Sequence, residues 1–137
     1  MTKSEWGAIY HFKPEDFDSP DKPGSGEAGM QYEFMRGLDK ARDWLGAPFV
    51  INSGFRTKSH NAAVGGRKNS SHLRGWAGDI KLEPIMKALK VKAPAARRRL
   101  IEALEREGFT RFGLYPTFVH VDRDPSLPPE QMWLEGE

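Results

Sequence analysis

Residues 70–79 read Ser-Ser-His-Leu-Arg-Gly-Trp-Ala-Gly-Asp, and residues 118–122 read Phe-Val-His-Val-Asp. The shorter stretch alternates between apolar and polar side chains, which predicts a β-strand with one buried face. Because strand side chains point alternately to opposite faces, the two valines face the core. The other face carries Phe118, His120 and Asp122.

Two imidazoles and one carboxylate come from these stretches, namely those of His72, Asp79 and His120. Residues 76–82 predict a second strand, so Asp79 could meet His120 across the sheet, and the small neighbours of Asp79 leave room for an ion. Such a set suits zinc and leaves its fourth position open to water, the arrangement of catalytic rather than structural sites. A His seven residues before an Asp is common, so the spacing alone indicates a metal site only weakly.

The surrounding sequence predicts an α+β fold in which helices pack on a small, mainly antiparallel sheet. One helix follows from apolar residues at steps of three and four over 30–45, ending at Gly46. A second begins at Pro94 and ends at Gly108. Further strands are predicted over 48–52, buried on both faces, and 111–115, and the tail Met-Trp-Leu at 132–134 is expected to fold back onto the domain. Residues 56–75 are predicted to form a long functional loop.

The composition limits which side chains could bind a metal or act as a nucleophile. The chain has 137 residues, a formal net charge of +2 and no cysteine. The length predicts a single domain over 1–137. The lack of cysteine excludes disulfides, thiolate metal ligands and cysteine nucleophiles. Any metal must therefore be held by histidines and carboxylates.

The charge distribution is uneven, with seven basic residues and one acidic residue from Lys81 to Arg99. A solvated helix face is the more common meaning of such a run, and no groove-entering motif supports a nucleic-acid partner. Residues 1–25 lack the apolar run of a secretory signal, and no apolar stretch in the sequence is long enough to span a membrane. We expect synthesis in the cytoplasm, with delivery by another agent if the protein acts outside.

The pattern Ser70-x-His72-x-x-Gly75-x-Ala77-x-Asp79, with a later His120, resembles the zinc D-Ala-D-Ala carboxypeptidase family, peptidase family M15. The resemblance is nearest to small phage-type members and their prophage relatives. It runs from about residue 30 to the C-terminus and includes Ser-Gly-Phe-Arg at 53–56, His-Asn at 60–61, Val-Gly-Gly at 64–66 and Gly-Phe at 108–109. The stretch 83–92 has no counterpart in it.

This resemblance implies a single domain with the hedgehog/D-Ala-D-Ala peptidase-like fold and a zinc ion held by His72, Asp79 and His120. It implies hydrolysis of an amide bond in the peptidoglycan stem peptide through a zinc-bound water. Arg56 matches a family arginine that contacts the substrate carboxylate or the developing oxyanion, which suits a planar cation. Ser70 matches the motif serine, which either binds substrate or holds the loop. The expected partner is a peptidoglycan peptide, and the expected state is a monomer acting at the bacterial cell wall.

One position departs from the family pattern. Many members carry a general base three to five residues before the last ligand, where this chain has Tyr115 and Thr117. Neither is a good base at neutral pH. The nearest carboxylate is Asp122, which could act as the base or orient His120 through its free ring nitrogen. Glu83 and Asp124 are weaker candidates for the base.

Two functions therefore stay open. The first is a zinc peptidase, either a carboxypeptidase cutting D-Ala-D-Ala or an endopeptidase cutting L-Ala-D-Glu or a cross-bridge. The second is a non-catalytic zinc-containing module of the same fold, which binds the wall or builds a phage particle. The missing upstream base favours the second, whereas the complete ligand set and Arg56 favour the first.

Overall fold

The structure, a computed structural model, describes residues 1–135, and positions 136 and 137 of the predicted domain lie outside that range. The described part contains six α-helices, two 3-10 helices and five strands. The α-helices are α1 (Lys3–Gly7), α2 (Ser25–Gly29), α3 (Tyr32–Leu45), α4 (Lys58–Ala63), α5 (Glu83–Leu89) and α6 (Ala93–Arg106). The 3-10 helices span Pro14–Phe17 and Ser71–Arg74. The strands are β1 (Ile51–Ser53), β2 (Ala77–Lys81), β3 (Arg111–Leu114), β4 (Phe118–Asp122) and β5 (Gln131–Leu134).

The strands form one sheet in the order β1-β2-β4-β3-β5. Every pairing is antiparallel except that of β3 with β5, which is parallel. The sheet is mainly antiparallel and carries helices, which confirms the predicted α+β class. β2 and β4 lie at its centre, so the side chains on them are flanked by other strands on both sides.

The core lies between the long helices α3 and α6 and one face of the sheet. Phe34 and Leu38 of α3, and Leu100 of α6, are fully buried, as are Val119 and Val121 of β4. This confirms the apolar periodicity of both helices and the alternation predicted for 118–122. α3 ends at Gly46, whose positive φ of 71° forms the expected C-terminal cap. The opposite face of the central strands is therefore left for polar residues.

Two segments differ from the sequence prediction. Residues 56–75 are not a continuous loop, because they contain α4 and the second 3-10 helix. β1 lies at the edge of the sheet with Asn52 exposed, so it is not buried on both faces. The two helical segments within 56–75 are six and four residues long, which is too short for an apolar period to appear in the sequence. No helix within 1–135 is long and apolar enough to cross a membrane.

Candidate metal centre

The polar face of the sheet carries a row of residues that crosses neighbouring strands. The register places Ser53 of β1 opposite Asp79 of β2, and Asp79 opposite His120 of β4. His120 in turn lies opposite Gly113 of β3, which lies beside Trp133 of β5. The row brings the carboxylate of Asp79 and the imidazole of His120 together, as the sequence predicted.

The second imidazole, that of His72, reaches this row from the 3-10 helix Ser71–Arg74. Ser70 caps this helix, since its Oγ accepts a hydrogen bond of 3.2 Å from the backbone N of His72. The helix ends at Gly75, which has a φ of 77°. A β-carbon at Gly75 would lie 1.8 Å from the carbonyl oxygen of Gly29, so only glycine fits there. Ser70 and Gly75 thus fix both ends of the turn that presents His72.

Three ligand atoms converge at the centre of the row. Asp79 Oδ1 lies 3.2 Å from His72 Nε2 and 2.9 Å from His120 Nδ1, and the two nitrogens are 3.2 Å apart. Ligands of a tetrahedral zinc ion stand about 3.3 Å from one another, given zinc–ligand distances near 2.0–2.1 Å. His72 and Asp79 are buried and His120 is nearly so. The three side chains therefore form a group that could hold a metal ion.

The second ring nitrogen of each histidine is also engaged. His72 Nδ1 donates to the carbonyl oxygen of Gly54 at 2.7 Å, and His120 Nε2 donates to Asp122 Oδ2 at 2.8 Å. When the rings are neutral, these bonds favour the tautomers that leave a lone pair on His72 Nε2 and on His120 Nδ1. Metal-binding histidines almost always have such an outer partner. The donor set and its supports thus fit a zinc ion.

The electrostatics of the group follow from burial and close opposite charges. Burial lowers the pKa of His72, and Asp79 only partly offsets this effect. Burial alone would lower the pKa of His120 as well, but hydrogen bonds to Asp122 and Asp79 raise it to about 9. Burial would raise the pKa of Asp79 and of Asp122. The pKa of Asp79 is nevertheless held below its ordinary value by the two histidines, and that of Asp122 by His120 and Arg111. Both carboxylates are therefore ionised at neutral pH.

Asp122 lies at the centre of a second layer of contacts. Its Oδ1 accepts from Arg111 Nε at 2.6 Å, while its Oδ2 accepts from His120. The guanidinium of Arg111 stacks under the indole of Trp133, 5.4 Å from the ring centroid, and the same indole lies 5.4 Å from the imidazole of His120. A β-carbon at Gly113 would lie 2.6 Å from Trp133 Nε1. Because Gly113 has no side chain, the indole can lie over β3 and reach His120.

Arg56 approaches the group from the other side. Its Nη2 lies 3.6 Å from Asp79 Oδ2, and its Nε donates to Ser53 Oγ at 3.0 Å. The side chain is 15% exposed, so its guanidinium is fixed near the ligand atoms and still reaches solvent.

A cleft of about 700 Å³ opens over these residues. The three metal-binding candidates and Arg56 lie in it, together with Ser70, Asp122 and Trp133. Its lining also includes Tyr115 and Phe118, whose rings stack with centroids 4.5 Å apart at an angle of 7°. The cleft thus combines a polar floor with aromatic walls, as ligand sites commonly do.

The residues considered as a general base from the sequence differ in whether they line the cleft. Tyr115 lines the cleft, whereas Thr117 is exposed and outside its lining. Asp124 is buried but bound to Arg74 Nε at 2.6 Å, and Glu83 is 73% exposed on α5. Among the described residues, the carboxylates that line the cleft are those of Asp79 and Asp122.

Sequence reasoning missed two contributors to the site, namely Arg111, which contacts Asp122, and Asn61, which contacts Arg56. The alternation of β3 places Arg111 on the same face as Gly113, but only the strand register shows that Asp122 lies opposite it. Trp133 was expected to fold back, yet its parallel pairing with β3 had no signal in the sequence. Asn61 lies on α4, within the segment expected to be a loop.

Comparison with known proteins agrees with this geometry. The sequence profile of the peptidase M15 family matches residues 11–122. This range includes the three metal-binding candidates and the elements that carry them, namely the 3-10 helix Ser71–Arg74, β2 and β4. A search of curated protein sequences found no significant match. Peptidases of this family are zinc-dependent, in keeping with the donor set formed by His72, Asp79 and His120. The chain belongs to the peptidase M15 family.

Proposed function

We propose that this protein is a zinc peptidase that hydrolyses an amide bond in the stem peptide of bacterial peptidoglycan. The observation that carries the proposal is the triangle of ligand atoms, with edges of 2.9–3.2 Å, at the floor of an open cleft. His72, Asp79 and His120 would hold the zinc ion. Zinc supplies a Lewis acid that polarises a carbonyl group and lowers the pKa of water.

Arg56 has the geometry to bind the negative charge of the substrate or of the transition state. Its guanidinium is a planar, permanently charged fork, which pairs well with a carboxylate or an oxyanion. Ser53 and Asp79 hold it beside the ligand atoms before any substrate arrives. We assign Arg56 to the carboxylate or oxyanion, and we assign Ser70 to holding the turn of His72, because its hydroxyl already caps that turn.

Of the two roles open for Asp122, orientation of His120 has more support. Both carboxylate oxygens accept short hydrogen bonds, from His120 and from Arg111, and the residue is 1% exposed. A general base needs a free oxygen within reach of the proton that it removes. We therefore propose that Asp122 fixes the ring of His120.

The wider biology follows from the same resemblance. We propose that residues 1–137 form one catalytic domain, acting as a monomer on the cell wall, with delivery in a phage or prophage context. The scissile bond is D-Ala-D-Ala for a carboxypeptidase, or L-Ala-D-Glu or a cross-bridge for an endopeptidase. The family fold serves each of these reactions, so the bond must be identified by experiment.

Digestion of purified cell-wall sacculi tests this proposal directly. The zinc-loaded protein is incubated with sacculi, and mass spectrometry identifies the new peptide termini. We expect release by the wild type, loss of release in His72→Ala, and full release in His60→Ala. His60 is the matched control, because it lies on α4 outside the ligand group. No release by the wild type, or equal release by His72→Ala, would refute the peptidase.

A second function, binding of the wall without hydrolysis, is favoured by one observation. Among residues 1–135, both carboxylates of the cleft lining are already engaged, since Asp79 contacts the two histidines through Oδ1 and Arg56 through Oδ2, and Asp122 accepts from two donors. Sedimentation with sacculi separates the two functions. Co-sedimentation that depends on zinc, with no new termini after prolonged incubation, would identify a binding module.

A further inference from the structure

Asn61 of α4 lies behind Arg56 and is buried, with 4% of its surface exposed. Its Oδ1 accepts a hydrogen bond of 3.2 Å from Arg56 Nη1, and its Nδ2 donates to the carbonyl oxygen of Arg67 at 2.9 Å. Burial of an amide side chain is costly unless its polar atoms are paired, so both bonds hold the group in one orientation. The oxygen of Asn61 is thereby turned toward the guanidinium.

The backbone around Asn61 is shaped to accept this amide. A β-carbon at Gly66 would lie 2.0 Å from Asn61 Oδ1 and 3.0 Å from Arg56 Nη1. Any other residue at Gly66 would therefore displace the amide or the guanidinium. The backbone N of Gly66 also donates to the carbonyl oxygen of Asn61 at 2.8 Å, which closes the chain around the side chain.

The helix that carries Asn61 is anchored at its beginning. Thr57 caps α4, because its Oγ1 accepts from the backbone N of His60 at 3.1 Å. The same hydroxyl donates to Asp21 Oδ2 at 2.7 Å, and the other carboxylate oxygen of Asp21 accepts from Ser19 Oγ at 2.5 Å. α4 is too short to be stable by itself, so these contacts fix its place against the rest of the protein.

We propose that Asn61 is a positioning residue that fixes the guanidinium of Arg56 for binding an anionic group, a carboxylate or an oxyanion, in the cleft. Ser53 holds Nε from the sheet and Asn61 holds Nη1 from α4, so rotation about the last bonds of the side chain is blocked at both ends. The guanidinium is then already ordered before the anion binds. The affinity for the anion is therefore not reduced by the loss of conformational entropy that ordering a mobile side chain would cause. This inference rests on the proposed function for its kinetic consequence, but not for the fixed guanidinium itself.

Nuclear magnetic resonance tests the fixed guanidinium without any reaction. The Nη protons of a freely rotating arginine average to one signal, whereas those of a fixed one appear separately. We expect separate Arg56 signals in the wild type and averaged signals in Asn61→Ala. Asn52→Ala, which removes the same amide from an exposed position on β1, should keep them separate. Separate signals in a folded Asn61→Ala would overturn the inference.

A double-mutant cycle tests whether Asn61 acts through Arg56. Loss of one hydrogen bond to a charged group corresponds to a decrease of about 10- to 100-fold in the rate of peptide release from sacculi. We expect Asn61→Ala to show this decrease in the wild-type background and a change of no more than about twofold beside Arg56→Ala. Equal decreases in both backgrounds would identify a purely structural role and contradict the inference.

Two further variants guard against a folding defect. Asn61→Asp keeps an acceptor for Arg56 but loses the donor to Arg67, so it should retain separate Arg56 signals and most of the release. Gly66→Ala keeps the Asn61 residue but places a methyl group where its amide oxygen meets Arg56, which displaces one of the two groups, so it should behave like Asn61→Ala. Bound zinc is measured in every variant, and an equal stoichiometry shows that the ligand group is intact. A wild type without release but with the expected Arg56 signals would refute the peptidase while supporting the role of Asn61.

Discussion

Asp122 offers the most informative single substitution, because its carboxylate accepts hydrogen bonds from two different donors. His120 donates from Nε2 at 2.8 Å, and Arg111 donates from Nε at 2.6 Å. Asp122→Asn keeps the shape of the side chain but replaces one acceptor oxygen with an NH2 group, which is itself a donor. Either His120 or Arg111 then faces a donor in a buried position.

The expected effect on zinc binding can be worked out from this loss. A hydrogen bond to a charged group contributes about 1.5–3 kcal/mol. Removing the outer partner of a metal-binding histidine lowers metal affinity about 10- to 100-fold. Since a tenfold change equals about 1.4 kcal/mol, the two ranges agree. We expect the Kd for zinc of Asp122→Asn to rise by about 10- to 100-fold.

Competition with a chromophoric zinc chelator at fixed pH measures this Kd. Asp43→Asn is the matched control, because Asp43 also contacts a histidine ring, that of His11, but is 64% exposed and outside the ligand group. Its affinity for zinc should equal that of the wild type. A folded Asp122→Asn with a Kd within about twofold of the wild type would refute the positioning role. Lost peptide release with that unchanged Kd would instead identify Asp122 as the base.

Three further predictions concern protons, packing and pH. Zinc binding at pH 7.5 should release about one proton, from His120 with its pKa of about 9, measured by calorimetry in buffers of different ionisation enthalpy; no release would contradict this protonation state. Gly113→Ala should lower the free energy of unfolding by about 1–3 kcal/mol and shift the fluorescence of Trp133, since the new methyl meets the indole; an unchanged melting curve and spectrum would argue against that contact. Without zinc, the free energy of unfolding should fall as pH rises from about 6.5 through about 9, because His120 loses its proton over this range. It should also fall in acid, because Asp79 and Asp122 become protonated. Denaturant midpoints that do not change over either range would contradict the shifted pKa values of these groups.

Much of the site could be predicted because its residues lie on regular elements. The alternation of 118–122 placed His120 on the polar face, and the antiparallel register then brought Asp79 opposite it. The contacts of Arg111 with Asp122 and of Trp133 with His120 could not be predicted in the same way. They depend on which strands pair and on their register, and such nonlocal pairing leaves no period in the sequence.

The helix α4 shows a different limit. Its six residues have no apolar period, and it is held by Thr57 and by contacts with distant segments such as that of Asp21. Intrinsic propensity contributes little to so short a helix, so tertiary contacts decide its structure. The role of Asn61 was hidden for the same reason.

A zinc ion held by the ligand group would also act as a cross-link. His72 and His120 are 48 positions apart in the chain, and a covalent bridge closing a loop of that length would stabilise a fold by about 4 kcal/mol through chain entropy. A chain without cysteine cannot form such a bridge from a disulfide. A zinc bridge would instead be opened by chelators and be insensitive to reductants, so the concentration of free zinc rather than the redox potential would control the stability of the fold.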